Sequence, residues 1–421
     1  MRWFCAIAMA FLWSGCSAED SASTASQRRV GEARLQEDLT VSLTYGTVRG
    51  FTSTAAVLRS ASPLAAITVE AGAGAEGPIA VELLNQHLDA ELRVDSVAWL
   101  DVDDLASCPV VAGVDVDCVA VALSVGAACE SSGQCADGLR CAMGVCAVTA
   151  QSALCEVPAT ARVRGRPTSM AFGLPIEPCT RLQLSTQLLT PSETLRFGVV
   201  GPSSSPDAIV ELAQTFREEE LDFVVLLGNQ IANRSLEALV EYERAVGSLG
   251  TPAVVLAGPS ELSVEDGQQF LRRFGPHDHR WVIKGARFFT LFSAEKTLGR
   301  RGLARLTDFL NALDDVEDGA FIALSHVPPF DPNALRNNSF RSDFEASQVM
   351  SLLEQNGVHQ LYAGGLASGE NAIHGVHTYV TTARGTLANP MREWLRVEVT
   401  LSSESETLRA GTQFIRVDRR R

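Results

Sequence analysis

Hydrophobic residues follow two different patterns along the chain. In the first half, short segments alternate apolar and polar residues between turn residues, which is typical of strands that bury one face. These segments are Leu39–Tyr45, Ala65–Glu70, Ile79–Leu84, Leu92–Trp99, Asp117–Leu123 and Thr180–Thr186. The pattern predicts an all-β region built as an antiparallel sandwich.

In the second half, apolar strands alternate with segments of helical periodicity. Pro206–Arg217, Ser235–Val246 and Gly302–Leu313 space their apolar residues as amphipathic helices do, with Ser235 as a suitable N-cap. Such alternation predicts an α/β domain in which helices cover mixed β-sheets.

Five apolar strands in this second half each lead into a short loop. They are Leu195–Ser204, Phe223–Asn229, Ala253–Glu261, Phe321–Asp331 and Leu361–Ala367. In order and rough spacing, the blocks resemble the calcineurin-like metallophosphoesterase family from Leu195 to about Phe414. The resemblance implies mixed sheets sandwiched by helices, and hydrolysis of phosphate esters with divalent metal ions.

The loops lack nearly all the ligands that this resemblance implies. At these loop positions the family has Asp, His and Asn ligands or its catalytic His. In this chain the same positions hold Pro202, Ser204, Pro259, Ser260, Gly365 and Ala367. Asn229 stands where the metal-bridging carboxylate is expected, and only His326 is retained.

Two cations about 3.5–4 Å apart need several anionic or imidazole ligands. One amide and one imidazole do not supply them. We therefore interpret Ser260 and His326 as vestigial catalytic positions, and Asn229 and His326 as vestigial metal positions. We expect no metal and no other cofactor. The alternative is an active hydrolase of phosphate mono- or diesters that binds divalent metal at an atypical site.

A pair of histidines lies between the third and fourth blocks. His277 and His279 could bind a metal together with His374 or His377. We favour a different interpretation, in which the pair belongs to a solvated loop that follows a helix ending near Phe274.

The N-terminus has the features of an export signal. A positive residue, a short apolar run and small residues precede Cys16, and the run is too short to span a bilayer. Leu12–Cys16 resembles the cleavage site of bacterial lipoprotein signals, which implies that Cys16 is acylated. Simple secretion is the alternative.

Cysteine usage agrees with export. Apart from Cys5 and Cys16, the cysteines lie between residues 108 and 179, and an even number confined to one segment predicts disulfides. The dense part resembles Cys-rich inserts of exported bacterial proteins and, in spacing, Dickkopf-type modules. We predict the pairs Cys129–Cys141, Cys135–Cys146, Cys108–Cys118 and Cys155–Cys179, with other connectivities open. Zinc is disfavoured because no Cys-x2-Cys spacing or nearby His is present.

These observations define a domain organisation. We predict a signal at 1–16, a flexible tether at 17–37, an immunoglobulin-like β-sandwich at 38–190 with a Cys-rich insert at 126–148, and a phosphoesterase-like domain at 194–416. The net charge of −15 argues against nucleic-acid binding, which needs clustered Lys and Arg. The sequence therefore predicts an outer-membrane lipoprotein of the bacterial cell envelope that binds or scaffolds an unidentified envelope protein or ligand.

The lipid anchor has a direct test. Several acyl chains on Cys16 hold a protein stably at a membrane, so the wild-type protein should partition into the detergent phase. Cys16→Ser should leave unprocessed precursor or release soluble protein, as measured by Triton X-114 partition and intact mass. Wild-type protein free in the medium would contradict the anchor.

Overall fold

The computed structural model describes residues 31–99, 116–117, 139–142, 145–148, 160–164, 166–188, 194–311, 320–383, 392–400 and 409–417. The predicted signal with Cys16, and the cysteines at 108, 118, 129, 135 and 155, lie outside these residues. Among the described residues, no helix has the length and apolar character needed to cross a membrane.

The strands of the first half fall between residues 32 and 188. They are β1 (Glu32–Gln36), β2 (Leu39–Leu43), β3 (Gly46–Thr52), β4 (Ala55–Ser60), β5 (Ala66–Ala71), β6 (Ile79–Leu84), β7 (Ala90–Trp99), β8 (Val116–Asp117), β9 (Leu139–Ala142), β10 (Val145–Val148), β11 (Thr160–Val163), β12 (Arg166–Leu174) and β13 (Thr180–Leu188).

The second half adds further strands, which are β14 (Thr194–Val200), β15 (Phe223–Leu226), β16 (Ala253–Val255), β17 (Arg280–Ile283), β18 (Ala286–Leu291), β19 (Ala320–Ser325), β20 (Val358–Gly364), β21 (Gly369–Ile373), β22 (Val376–Thr381), β23 (Arg392–Thr400) and β24 (Arg409–Val417).

Its helices are α1 (Pro206–Glu218), α2 (Leu236–Gly247), α3 (Pro259–Leu262), α4 (Gln268–Phe274), α5 (Gly299–Asn311) and α6 (Asp343–Gln355). Short 3-10 turns occur at Glu265–Gly267 and Arg336–Asn338.

Two large sheets form the sandwich of the first half, and β9 and β10 pair separately as a hairpin. One has the order β1-β2-β5-β13-β7-β8 and the other β11-β12-β6-β4-β3, and residues of both share one apolar core. Pairing is antiparallel except between β4 and β6. Strand β6 was predicted with its observed bounds, because Ile79, Val81 and Leu83 alternate with more exposed neighbours.

The start of this sheet corrects one prediction. The flexible tether was predicted to reach residue 37, yet Glu32–Gln36 form β1 and pair with β2. Ala33 and Leu35 are buried in the core while Glu32 and Arg34 face outward. The alternation of buried and exposed residues is hard to recognise in the sequence, because the segment is polar and only Ala33 and Leu35 mark its inner face.

The described cysteines give limited information on the predicted pairs. Cys141 and Cys146 lie opposite each other in the β9–β10 hairpin. Cys179 is disulfide-bonded. Cys179 is the one cysteine whose side chain lies among the described residues, so the connectivity stays a prediction.

Two mixed sheets pack face to face in the second half. One has the order β16-β15-β14-β23-β24 and the other β17-β18-β19-β20-β22-β21, with parallel strands in the interior of each. Helices α1, α2 and α4 cover the first sheet, while α5 and α6 cover the second. The mixed α/β prediction is confirmed, and α1 and α2 match their predicted positions within one or two residues.

Aromatic rings fill the space between these sheets. Phe197 stacks on Phe223 with ring centroids 5.2 Å apart, and Phe288 meets both rings edge-on. Offset and edge-to-face contacts of this kind add stability beyond area burial. The core therefore fixes how the strand ends of both sheets meet.

Hydrogen bonds join the sandwich to the α/β half. The Asn85 side chain donates to the Ala253 carbonyl at 2.9 Å and accepts from the Ala253 N–H at 2.7 Å. The amide thus satisfies both backbone groups of Ala253 in the edge strand β16. His87 Nδ1 accepts from Asp89 N, so Nε2 carries the proton that it donates to Asp222 Oδ1 at 2.9 Å.

Asp222 is the buried centre of this interface. Besides His87, it accepts from Lys284 Nζ at 2.7 Å and from Arg196 N at 2.8 Å. Burial raises the pKa of the Asp222 carboxyl, but the hydrogen bonds from His87, Lys284 and Arg196 outweigh burial and lower the pKa below its usual value. The carboxylate thus stabilises the fold at neutral pH.

Asp222→Asn should lower the free energy of unfolding at pH 7 by about 2–4 kcal/mol, because Lys284 loses its charged acceptor in a buried place. Since the folded pKa is depressed, the wild-type advantage should persist above about pH 4 and shrink as the pH falls through the folded pKa. Urea unfolding across pH measures this.

The matched control is Glu398→Gln, which removes a half-exposed carboxylate paired with Arg196 and Arg396. Exposed pairs contribute little, so we expect a loss below about 1 kcal/mol. Equal losses for the two variants would contradict the assigned role of Asp222.

Candidate functional site

The candidate site is a cleft where the parallel strands of both sheets end. The loops after β14, β15, β16, β19 and β20 carry the five sequence blocks to this one edge. Crevices at the carboxyl ends of strands are the usual ligand sites of open α/β sheets. The structure brings together the loops that hold Ser204, Asn229, Ser260 and His326. Hydrogen bonds connect these loops.

His326 is buried at the end of β19, with 3% of its surface exposed. Its Nδ1 lies 2.5 Å from the Leu227 carbonyl oxygen, which can only accept, so Nδ1 carries a proton. Its Nε2 lies 3.3 Å from Asn229 Nδ2. A neutral imidazole in this tautomer accepts the amide hydrogen at Nε2, the atom that would otherwise bind a metal.

The orientation of the Asn229 amide follows from a second contact. Asn229 Oδ1 accepts from Ser260 N at 3.1 Å, and a backbone N–H can only donate. The NH2 group is therefore the one that faces His326. Where the family resemblance implies a bridging carboxylate, the cleft has an amide that donates toward the histidine.

Backbone geometry holds Asn229 in this position. Its φ of 54° lies in the left-handed region, which Asn tolerates better than most residues. Its carbonyl accepts from Ser204 N at 2.9 Å, so the loop after β14 is tied to the loop after β15. Ser204 itself has a φ of 58°.

Glu261, in the short helix α3, fixes the loop that carries Asn229. The side chain is fully buried and accepts four backbone N–H groups: Asn229 at 2.8 Å, Gln230 at 2.7 Å, Ile231 at 3.3 Å and Gly258 at 2.9 Å. Burial raises the pKa of the Glu261 carboxyl, although these backbone donors oppose the rise. Glu261 therefore acts as a structural acceptor.

Close packing leaves little room for larger side chains in the cleft. A Cβ on Gly365 would lie 2.2 Å from Val380 Cγ1 and 2.7 Å from Asn338 Nδ2. A Cβ on Gly258 would lie 2.7 Å from both Asn229 Oδ1 and His326 Cε1. A histidine at position 365, where the family resemblance implies one, does not fit this packing.

Gln230 is a site residue that the sequence analysis missed. It is fully buried, accepts from Ser203 Oγ at 2.5 Å, and donates to the carbonyls of Gly201 at 3.0 Å and Gly228 at 3.2 Å. It therefore closes the space between the loops after β14 and β15. The available signal in the sequence was a Gln directly after Asn229, at the end of the second strand-and-loop block.

The donor set does not fit the two-metal site that the family resemblance implies. Within the described ranges, no cluster of three or more His, Cys, Asp or Glu side chains could hold a metal ion. In the cleft, Asn229 and His326 contact each other, and the Glu261 oxygens are filled by backbone donors. The side chains present bind one another.

The predicted solvated loop at His277 and His279 is wrong, because both histidines are buried. His277 lies between Phe270 and Phe292, whose ring centroids are 5.3 and 4.3 Å away. Burial, with the charges of Arg305 and His279, lowers the pKa of His277 to about 3. Burial lowers the pKa of His279 to about 4.

The alternative metal site with His374 or His377 is also not formed. His277 and His279 precede β17 at one edge of the second sheet, whereas His374 and His377 are exposed beside β21 and β22 at the other edge. Aromatic packing therefore accounts for the His-x-His pair.

No family profile matches the chain, and no curated protein does. Among solved structures, a dimetal phosphatase from Danio rerio is 13% identical and aligns over 53% of this chain and 98% of its own, with a TM-score of 0.39. A purple acid phosphatase from yellow lupin (Lupinus luteus) seeds is 10% identical over 90% of this chain and 78% of its own, with a TM-score of 0.42.

PhoD is 11% identical over 80% of this chain and 82% of its own, with a TM-score of 0.38. The structural neighbours are thus metallophosphoesterase-like proteins at low identity. Likeness at this level assigns no activity to this chain.

Glu261→Gln should destabilise the protein by about 2–4 kcal/mol, because one amide oxygen replaces two acceptor oxygens and leaves buried N–H groups unpaired. Urea unfolding at pH 7 measures the change. Glu265→Gln is the control, since Glu265 is exposed and its side chain accepts a hydrogen bond from the Gln269 amide. A change within about 0.5 kcal/mol is expected there. Equal stability of wild type and Glu261→Gln would refute the structural role.

Proposed function

We propose that this chain is an exported, lipid-anchored protein of the bacterial cell envelope whose α/β domain binds or scaffolds and does not hydrolyse phosphate esters. Its sandwich would be immunoglobulin-like and would carry a disulfide-rich insert. The proposed residence is the outer membrane, with Cys16 as the anchor. The partner would be an envelope protein or a ligand of the cleft.

The observation that carries the pseudoenzyme proposal is the contact between Asn229 and His326. The His326 imidazole accepts from the Asn229 amide at 3.3 Å, while the amide oxygen is used by Ser260 N at 3.1 Å. Metal binding at His326 Nε2 would require breaking this contact and turning an amide that a second hydrogen bond holds.

Electrostatics supports the same proposal. Two divalent cations repel each other strongly and need anionic ligands in the first coordination sphere. Asn229 and Ser260 are neutral, and Pro202 and Gly365 offer no side-chain donor. Buried ligands without a cation would cost stability, so a chain that no longer binds metal is expected to lose them.

The alternative is a hydrolase with an atypical metal site. The observation that favours it is the survival of an imidazole and an amide side by side in a strand-end cleft. Such a site would hold one divalent ion, through His326 and a turned Asn229. The metal would then supply Lewis acid chemistry.

Metal content and turnover separate the two functions. Purified protein should contain no stoichiometric manganese, iron or zinc by mass spectrometry. With each metal added, hydrolysis of p-nitrophenyl phosphate and bis-p-nitrophenyl phosphate should stay at background, and His326→Ala should not change it. The reason is the shortage of anionic ligands around His326.

His359→Ala is the matched control, because His359 is an exposed histidine in β20. Metal-dependent turnover that His326→Ala abolishes and His359→Ala preserves would overturn the pseudoenzyme proposal and establish the hydrolase.

A further inference from the structure

A cavity of about 920 Å³ lies between the sandwich and the edge strand β17 of the α/β half. Thr44–Tyr45, Ser62, Leu64–Ala66 and Ser185–Leu188 line one side, while residues 280–284, 287–288 and 309 line the other. Its size is that of a small-molecule site, and junctions between domains are a preferred place for such sites. It includes none of the cleft residues discussed above.

The wall is largely apolar. Leu64, Leu188, Trp281, Phe288 and Phe309 all line the cavity. Trp281 and Phe288 stack with ring centroids 4.9 Å apart and belong to the core between the sheets, which makes this part of the wall rigid. A preformed aromatic wall favours a ligand with an apolar body.

The charged residues of the wall are all cationic. Arg280, Lys284 and Arg287 line the cavity, and its lining includes no Asp or Glu. This is unexpected in a chain with a net charge of −15. Lys284 already binds Asp222 and the Thr194 carbonyl, so Arg280 and Arg287 are the cations of the wall that form no ion pair among the described side chains.

Arg287 is held without an acidic partner. Its guanidinium lies 5.1 Å from the centre of the Phe321 ring, and its NH1 nitrogen is buried with no hydrogen-bond acceptor among the described residues. A buried donor without an acceptor costs free energy. An anion in the cavity would satisfy Arg287.

Arg280 is arranged in the same way. Its guanidinium lies 5.2 Å from the centre of the Phe309 ring. A guanidinium that lies over an aromatic face keeps its in-plane N–H groups available. These groups can donate hydrogen bonds to a carboxylate or a phosphate. No ion pair of Arg280 or Arg287 is formed among the residues with described side chains.

An adjacent cavity of about 430 Å³ provides an internal comparison. It shares Tyr45, Arg280 and Phe309 with the first cavity but is also lined by Asp278 and Asp308. Asp278 pairs with Arg305 at 2.7 Å, so the Arg305 charge is neutralised there. Arg287 lines only the larger cavity, so it is the arginine that distinguishes the two cavities.

We propose that the larger cavity binds a small organic anion with an apolar body. The apolar part packs on Phe309 and Val282, which lie on the same face of the sheet as the two arginines, and a carboxylate or phosphate group accepts from Arg287 and Arg280. This site is separate from the cleft and does not depend on whether the chain hydrolyses phosphate esters.

The test compares two fluorescent dyes on the full exported chain. 1-Anilinonaphthalene-8-sulfonate is an aromatic anion, and N-phenyl-1-naphthylamine is its uncharged counterpart. The wild-type protein should bind the anion saturably at one site. Octanoate or octyl phosphate should compete with it, while octanol and inorganic phosphate should not. The two competing ligands show which head group the site prefers.

Arg287→Gln should weaken anion binding by roughly tenfold or more, because a charged hydrogen bond contributes about 1.5–3 kcal/mol. It should leave binding of the neutral dye within about twofold, since the apolar wall stays intact. Arg300→Gln is the control, because it removes the same charge from an exposed position that lines neither cavity. Near-ultraviolet circular dichroism shows whether each variant is folded.

A second variant tests the cavity without touching an arginine. Ala66 is exposed and lines the wall, so Ala66→Trp should fill the space and abolish binding of both dyes. The proposal fails if the folded Arg287→Gln protein binds the anion as the wild type does. It also fails if Ala66→Trp leaves binding unchanged, or if the wild type binds no dye.

Discussion

The buried carboxylate of Glu261 is the interaction on which the cleft depends. Its two oxygens accept four backbone N–H groups from the loops after β15 and β16. Those bonds set the positions of Asn229 and Ser260, and the left-handed conformation at Asn229 turns its amide toward His326. A structural acid thus defines the geometry of a site in which it takes no chemical part. The same loops would hold a metal centre if their side chains were ligands.

The Asn229 amide is central to the chemical character of the cleft. A carboxylate at position 229 would accept hydrogen bonds and attract cations, whereas the Asn229 amide donates to the imidazole and is neutral. The histidine and the amide therefore satisfy each other, and the glycines beside them allow close packing. At the cavity between the domains, the Arg287 guanidinium lies over the Phe321 ring and has no acidic partner among the described side chains.

Sequence patterns predicted the elements whose signal is local. Helix α2 was found from its 3.6-residue period and its cap, and Ser235 Oγ accepts from Ala238 N as expected. The five strand-and-loop blocks were also identified, and the structure brings their loops to one edge. The burial of His277 was not predictable, because its neighbours Phe270 and Phe292 come from other elements. Nor was the interface at Asp222, since its partners His87 and Lys284 are distant in sequence and each looks like an ordinary surface residue.

The tautomer of His326 tests the central claim most directly. Imidazole ¹⁵N spectra of the labelled protein resolve the 7 histidines, and the signal that disappears in His326→Ala identifies this one. The account predicts a neutral ring protonated at Nδ1, with Nε2 hydrogen-bonded to an amide and unchanged by equimolar Zn²⁺. A ring whose Nε2 signal shifts on addition of Zn²⁺ would contradict it and show that the cleft still binds metal.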